Sequence, residues 1–405
     1  MPKPSPGEEI DPLALAITRD MNLQTSKSNN EVAKWEHEDL AKVRIKVLRS
    51  HTDAVNKCQF FAGDRHILSA SADCSIKVWD TQKGSVLHSL NDAHTINAAE
   101  AHCVQDGSRF ASCGWDKNVH VWDMETKKKL WSATRSSIVT CCKISSDGRL
   151  VCVGSDLDHG LTVFDASSGE ILHDFKDHHK SSLTSCVFSP DNTRIVTTSM
   201  DRTAKFFDLR SSKCTITLEG HTNVISACSF TQDDRKFATS SWDKTIKIWD
   251  ISTGMYRSKG AQTLKGSHDG SVSCCDFTPE GLMLVSGGYD LSIVVWDVEN
   301  KMQKLKLQGH AGWVTDVHFS LDQKWLLSCS KDKTVRMWNI EESDKIPIVM
   351  ENKKAQGLKI IKCSKCEKPF SMSQLDSFRD VTLCVFCRLQ SPEKSWLSFS
   401  DSPEG

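Results

Sequence analysis

Short runs of alternating hydrophobic and polar residues recur along the chain and predict β-strands. The clearest example has a first strand from Ile225 to Phe230, a second over 236–240 and a third over 245–249. Its β-branched and aromatic content and short alternation favour strands over helix. Polar turn residues separate the strands, over 231–234 and 242–244. A fourth strand, as in residues 215–218, completes the pattern of one unit.

This pattern occurs seven times at a nearly fixed period. Each unit ends in an aromatic residue followed by Asp or Asn, at intervals of 43, 42, 43, 42, 47 and 42 residues. A period of about 40 to 45 that ends in Trp-Asp is typical of a β-propeller blade. The pairs are Trp79-Asp80, Trp122-Asp123, Phe164-Asp165, Phe207-Asp208, Trp249-Asp250, Trp296-Asp297 and Trp338-Asn339.

Each unit resembles the WD-repeat family, from a Gly-His dipeptide such as Gly220-His221 or Gly309-His310 to the Trp-Asp pair. The resemblance covers residues 42–342 and implies an all-β, seven-bladed WD-repeat β-propeller. The last unit lacks a convincing fourth strand, whereas residues 43–48 precede the first histidine without another role. We therefore expect this N-terminal strand to complete the last blade and remove an exposed sheet edge.

Five units share a histidine, a hydroxyl 18 residues later, an aspartate 4 beyond it and a tryptophan 6 further on. The resemblance implies a buried tetrad that stiffens each blade. Ser, His and Asp also form hydrolase triads, but a catalyst needs one open site and this set occurs five times, each closed by a tryptophan. We expect no enzyme. The tetrads are His51, Ser69, Asp73, Trp79; His94, Ser112, Asp116, Trp122; His221, Thr239, Asp243, Trp249; His268, Ser286, Asp290, Trp296; and His310, Ser328, Asp332, Trp338.

Two units depart from the tetrad. The third aligns as Ser136, Gly154, Asp158 and Phe164, and the fourth keeps His179, Thr197 and Asp201 but ends in Phe207. We expect these two blades to be the least rigid.

The resemblance also implies a peptide-binding face, which we call the top face. It is formed by the loops from the fourth strand to the next first strand and from the second strand to the third. Residues that precede each turn aspartate or follow each histidine by 3 or 5 positions should surround its central opening. Exposed aromatic residues are enriched at interfaces, which favours binding there over local packing. The candidate partner-binding residues are Trp115, Leu157, Met200, Trp242, Tyr289 and Trp313, with Ala72, Lys331, Asn56, Asn97, Ser182, Thr184, Ser226, Ser271, Ser273 and Thr315 beside them.

The composition of the chain limits the kinds of partner and the cellular compartment that we expect. Of 405 residues, 51 are Lys or Arg and 52 are Asp or Glu, so no global field attracts nucleic acid. The start lacks a signal-peptide pattern and no apolar run approaches a membrane span. We expect a monomeric propeller in the cytoplasm or nucleus, without membrane attachment. The 17 cysteines then serve as thiols and metal ligands rather than disulfides, those in the blades as small apolar fillers.

The C-terminal part carries two closely spaced cysteine pairs. Cys363 and Cys366 are followed, 17 residues on, by Cys384 and Cys387, which is the spacing of a structural zinc site with four thiolates. Iron binding or redox pairing is the weaker reading. We expect one structural zinc ion in a zinc-ribbon-like module over 358–392, too small to fold without metal. The remaining divisions are an N-terminal segment 1–41, disordered or partly helical, a linker 343–357 and a disordered tail 393–405.

Two other functions compete with that of a non-enzymatic scaffold for peptide segments. Asp201, Asp208 and Arg210 resemble a motif that docks WD-repeat proteins on the adaptor of cullin ubiquitin ligases, although Phe207 stands where Trp or Tyr is usual. The chain would then be a substrate receptor. Between residues 353 and 388, eight basic and three acidic residues give a balance of plus 5. A zinc-dependent, nucleic-acid-associated adaptor is therefore possible but less favoured.

Overall fold

A computed structural model describes residues 35–37, 43–252, 260–341, 359–365 and 369–372. The N-terminal segment, the linker, the tail and most of the expected zinc module lie outside the described residues. Those that are described form strands and turns, with no helix among them.

The described strands are short and follow one another almost without interruption. Their bounds are β1 Trp35–His37, β2 Arg44–Arg49, β3 Val55–Phe61, β4 His66–Ser71, β5 Ile76–Asp80, β6 Val86–Leu90, β7 Ala98–Cys103, β8 Arg109–Gly114, β9 Asn118–Asp123, β10 Lys129–Thr134, β11 Val139–Ile144, β12 Leu150–Ser155, β13 Leu161–Asp165, β14 Ile171–Phe175, β15 Leu183–Phe188, β16 Arg194–Ser199, β17 Thr203–Asp208, β18 Lys213–Glu219, β19 Ile225–Phe230, β20 Lys236–Ser241, β21 Ile246–Asp250, β22 Gln262–Leu264, β23 Val272–Phe277, β24 Met283–Gly288, β25 Ser292–Asp297, β26 Met302–Gln308, β27 Val314–Phe319, β28 Trp325–Ser330, β29 Thr334–Asn339, β30 Lys359–Lys362 and β31 Pro369–Met372.

Seven antiparallel sheets form the blades of a propeller. Blades 1 to 6 are β3–β6, β7–β10, β11–β14, β15–β18, β19–β22 and β23–β26, each with its strands in chain order. The first strand of each blade contacts the first strand of the next, and β27 returns to contact β3. The first strands therefore surround a central channel, and the expected all-β, seven-bladed architecture is confirmed.

The seventh blade joins the two ends of the repeat array. Strand β2 pairs with β29 in the sheet β1-β2-β29-β28-β27, with Ile45 opposite Trp338. Ile45 packs in a buried cluster with Leu305 and Leu307 of blade 6, and Leu48 packs in a second cluster with residues of blade 1. One strand thus closes the backbone ladder of blade 7 and fills the interfaces on both of its sides.

The core consists of such clusters between neighbouring blades. Each contains aliphatic side chains from the middle strands together with aromatic residues such as Phe110, Phe164 and Phe237. Most cysteines of the propeller are buried in these interfaces. Burial raises the pKa of the Cys228 thiol to about 12, which keeps it protonated and inert, as expected of a small apolar filler.

The closing strand gives the first prediction. Ile45→Ala should destabilise the propeller by about 2 to 5 kcal/mol, since it leaves a cavity beside Trp338 in the closing blade. Arg49→Ala, on the exposed end of the same strand, is the matched control and should change stability by less than about 0.5 kcal/mol. Urea unfolding followed by circular dichroism measures both. Equal midpoints for the two variants would show that the strand is not part of the stabilising core.

Candidate functional site

The structure brings together the four residues of each of the five predicted tetrads. In blade 1, His51 Nδ1 lies 2.9 Å from Asp73, and its Nε2 lies 2.8 Å from Ser69 Oγ. Trp79 Nε1 donates to the same hydroxyl at 2.8 Å. Because the carboxylate can only accept, the proton lies on Nδ1 and the hydroxyl donates to Nε2. Equivalent bonds of 2.7 to 3.1 Å form in blades 2, 5, 6 and 7.

The protonation states follow from this arrangement. Burial would raise the pKa of Asp73, but hydrogen bonds from His51 and Ser75 outweigh it and hold the carboxyl pKa well below its usual range. Burial lowers the pKa of His51 despite its bond to Asp73. The pair therefore consists of a neutral imidazole and a charged carboxylate. The carboxylate also accepts the backbone N–H groups of Thr52 and Ser75, so the tetrad fixes two loops on the top face.

The same geometry argues against hydrolytic chemistry. The five tetrad imidazoles are at most 1 % exposed, and each hydroxyl already donates to an imidazole inside the sheet. A nucleophile must reach a bound substrate, which these hydroxyls cannot do. The tetrad side chains instead hold the loops of the top face in place.

Blade 4 keeps three members of the tetrad. His179 bonds Asp201 at 2.9 Å and Thr197 at 2.8 Å, as in the complete blades. The buried Phe207 ring offers no N–H and packs against His178, with centroids 4.5 Å apart. The Thr197 hydroxyl therefore has one fewer partner than its counterparts.

Blade 3 corrects the alignment by one residue. Cys142 pairs with Val153, as Cys58 of blade 1 pairs with the tetrad residue Ser69. Val153, and not Gly154, therefore occupies the hydroxyl position. The reason is an additional residue in the loop between β12 and β13, which a fixed distance from Asp158 cannot reveal.

The histidine position of blade 3 shifts in the same way. Arg135 donates its backbone N–H to Lys117, as His94 does to Cys74, so Arg135 and not Ser136 is the structural counterpart of histidine. Its guanidinium carbon lies 5.9 Å from the centre of the Phe164 ring. Ser136 nevertheless donates to Asp158 at 2.5 Å. The aspartate therefore still accepts a side-chain hydrogen bond, from a hydroxyl in place of the imidazole of the complete tetrads.

Six residues occupy equivalent positions on the top face. In each, the backbone N–H bonds a carbonyl of the loop that precedes the blade's first strand, at 2.8 to 3.0 Å. They are Ala72, Trp115, Met200, Trp242, Tyr289 and Lys331. In blade 3 the residue with this bond is Asp156, so the predicted Leu157 is the additional loop residue. Leu157 is 74 % exposed, and Trp115, Met200 and Trp313 are also exposed.

Three aromatic side chains form a row across blades 5, 6 and 7. Trp242 and Tyr289 have ring centroids 6.3 Å apart at 52°, and Tyr289 stacks on Trp313 at 4.7 Å and 22°. The Lys331 ammonium lies 4.4 Å from the centre of the Trp313 ring. We call these three aromatic residues the aromatic row. Mutual contact holds the rings in place, which reduces the conformational entropy that binding would cost.

The hydroxyl and amide residues near the top have a structural role. Thr184 donates to the Ile225 carbonyl of the next blade at 2.6 Å, and Thr315 donates to Val55 at 2.6 Å. Asn56, Ser226 and Ser273 make the equivalent inter-blade bond. Ala99 of blade 2 cannot form it, and Thr140 of blade 3 bonds within its own blade. Several expected contact residues are thus already engaged with the neighbouring blade.

The channel contains charged residues that the sequence analysis missed. Lys57 pairs with Asp316 at 3.2 Å, and Lys143 pairs with Glu100 at 2.9 Å. His318 lies 3.2 Å from both Asp276 and Asp316, whose charges outweigh burial and raise the pKa of the imidazole to about 10. All of them except Glu100 line a cavity of about 350 Å³. Charged residues near the middle of first strands, where other blades have small ones, were the available clue.

The other candidate residues fall into two groups. Asp208 accepts the backbone N–H groups of Arg210 and Ser211. Since Asp123 and Asp165 make the same turn bonds, this aspartate does not by itself favour ligase docking. Of the proposed zinc ligands, only Cys363 is described, buried at the end of β30. Cys366, Cys384 and Cys387 lie outside the described residues, as do three of the six basic residues of that module, Lys368, Arg379 and Arg388.

Seven sheets in a closed ring, with buried His-Asp tetrads and exposed top loops, define the chain as a WD-repeat β-propeller. The family model for the WD domain, G-beta repeat, matches residues 42–80, 84–123, 126–165, 169–208, 212–250, 259–297 and 301–339. The chain belongs to this family, whose propellers are generally non-enzymatic scaffolds that bind other proteins. No described helix has the length and apolar character to cross a membrane.

Several curated relatives extend over most of the chain, and two of them serve as examples. Human WD repeat-containing protein 88 is 42 % identical over 387 residues, which are 94 % of this chain and 82 % of the relative. Nuclear distribution protein PAC1 of Arthroderma benhamiae is 26 % identical over 343 residues, 81 % of this chain and 67 % of the relative. Mouse pre-mRNA-processing factor 17 is similar over a shorter part, with 27 % identity over 172 residues, 42 % of this chain and 30 % of the relative.

The complete and incomplete tetrads allow a matched comparison of stability. Thr239→Val should destabilise the protein by about 1 to 3 kcal/mol more than Thr197→Val. It leaves both His221 and the Trp249 N–H in the interior without their hydrogen-bond partner. In blade 4 only His179 loses a partner. Both substitutions preserve side-chain shape, and urea unfolding gives the two free energies. Equal losses would contradict a stabilising role for the tryptophan bond.

Proposed function

We propose that this chain is a scaffold that binds peptide segments of other proteins on its top face. The observation that carries the proposal is the aromatic row, where Trp242, Tyr289 and Trp313 line adjacent blades and contact one another. Trp and Tyr are enriched among the residues that dominate binding energy at interfaces. The tetrads support the proposal because they fix the loops on which these residues lie. The surface is therefore preorganised for a partner.

The rest of the top face supports the same function. Trp115, Leu157 and Met200 are exposed on blades 2, 3 and 4, in turns where polar residues are usual. Apolar side chains thus occur on both halves of the ring. A segment that crosses the central opening would contact the aromatic row on one side and these residues on the other.

Substitutions in the aromatic row test this function directly. The double variant Trp242→Ala, Trp313→Ala should lose partners that the full chain captures in affinity purification, with affinity reduced at least tenfold for any partner peptide then synthesised. Truncating an aromatic anchor typically costs about 2 kcal/mol or more. Leu130→Ala, Ile171→Ala removes exposed apolar side chains from the outer strands and is the control. If binding survives the double variant in the aromatic row but is lost in the control variant, the interface lies elsewhere.

We also propose that Cys363, Cys366, Cys384 and Cys387 bind one structural zinc ion. The observation in favour is that Cys363 is buried at the end of β30, and that its chain spacing to Cys366 spans the connection to β31. Two cysteines separated by two residues in the sequence between paired strands are typical of a tetrahedral structural site. The metal would stabilise a module too small for its own core.

Metal analysis tests this second proposal. The full chain, dialysed against a weak chelator, should retain one zinc per molecule by inductively coupled plasma mass spectrometry. Cys363→Ser should lose most of it, because one of four thiolates is removed. Cys214→Ser alters an exposed thiol on β18 and should keep the metal. A wild-type chain that binds no zinc, or equal zinc in both variants, would contradict the proposal.

A further inference from the structure

The cation beside the aromatic row is a feature of this surface that the row alone does not explain. Lys331 is exposed, and its ammonium lies 4.4 Å from the centre of the Trp313 ring. The electron-rich ring therefore already has a cationic partner. A lysine or arginine of a binding segment would meet this like charge at the same ring. The row is accordingly biased against basic side chains.

The charge of Lys331 is not cancelled by its neighbours. Its adjacent carboxylate, Asp332, accepts from His310 at 2.8 Å and lies 3.6 Å from Arg336. Among the described residues, no carboxylate forms an ion pair with Lys331 or with the exposed Lys333. The exposed Asp269 on blade 6 pairs with Lys306 at 3.6 Å. The end of the row at blade 7 thus presents the Lys331 ammonium, which forms no ion pair with a carboxylate among the described residues.

The geometry of the rings adds a position for an apolar side chain. Tyr289 and Trp313 are stacked, whereas Trp242 and Tyr289 are tilted by 52° with centroids 6.3 Å apart. Tilted rings at that separation leave part of each face accessible to a third ring or an aliphatic chain. Trp242 and Tyr289 are both only half-buried, so each residue keeps exposed surface that a partner side chain can cover.

We propose that the top face selects partner segments in which an acidic side chain accompanies an aromatic or large aliphatic one. The carboxylate pairs with Lys331, and the apolar side chain packs on Trp242 and Tyr289. This inference rests on the proposed scaffold function and specifies its partner: a protein segment of acidic, apolar character. Complementary charge would supply discrimination between segments, and the rings would supply most of the affinity.

The test is selection of random 12-residue peptides displayed on phage against the full chain. Peptides that bind wild type, and that lose binding to Trp242→Ala, Trp313→Ala, should be enriched in Asp or Glu beside Trp, Tyr, Phe or Leu. For the best synthetic peptide, Lys331→Glu should weaken binding at least tenfold in fluorescence polarisation. Exchanging the peptide's acidic residue for lysine should restore much of that affinity in the Lys331→Glu variant.

A matched control separates the local effect from total charge. Lys128→Glu makes the same change in net charge at an exposed turn between β9 and β10 and should leave affinity unchanged. Unaltered melting temperatures establish that the variants fold. The charge inference is overturned, while the scaffold function stands, if the peptides that depend on the aromatic row are neutral or basic. Equal affinity for wild type and Lys331→Glu would have the same meaning. If no selected peptide depends on the aromatic row, both proposals fail.

Discussion

Closure of the ring is the constraint on which the rest of the structure depends. Strand β2 comes from the beginning of the described propeller and pairs with β29 at its end. This pairing leaves no gap between blades 7 and 1, where Thr315 and Asp316 of blade 7 reach the backbone of β3. The channel, the inter-blade clusters and the position of the aromatic row all require that this seam be complete.

Within the closed ring, the residues that stabilise a blade differ from those that it exposes on the top face. A tetrad bonds the backbone of two loops through one charged carboxylate and leaves the residue before that aspartate outside the network. Trp115, Met200, Trp242, Tyr289 and Lys331 all occupy this position. Its side chain is therefore free to differ from blade to blade without disturbing the fold. Seven similar sheets can in this way carry seven different chemical groups on one face.

The fold was predictable because its determinants are periodic. Constant spacing between histidine, hydroxyl, aspartate and tryptophan identified seven blades and the members of five tetrads, and the unmatched strand near residue 45 identified the closure. Blade 3 was misaligned because one additional loop residue breaks the fixed spacing, and only strand pairing shows that Val153 and Arg135 occupy the tetrad positions. Lys331 contacts Trp313 within blade 7, and His318 contacts Asp276 of the neighbouring blade 6. Neither contact recurs from blade to blade, so the periodic pattern that identified the tetrads gives no sign of them.

The inter-blade bonds described near the top are not evenly distributed. Five of the seven blades donate a side-chain hydrogen bond to the next first strand, but Ala99 has no polar group and Thr140 turns to its own blade. Blade 3 also lacks the imidazole and indole that elsewhere tie loops to sheets. At this sector the blades are joined by other contacts: backbone N–H groups of β11 donate to Glu100 and His102 of blade 2, and the Ser182 hydroxyl of blade 4 donates to Asp156. Titratable acceptors therefore help to connect the sector around β11–β14 to its neighbours.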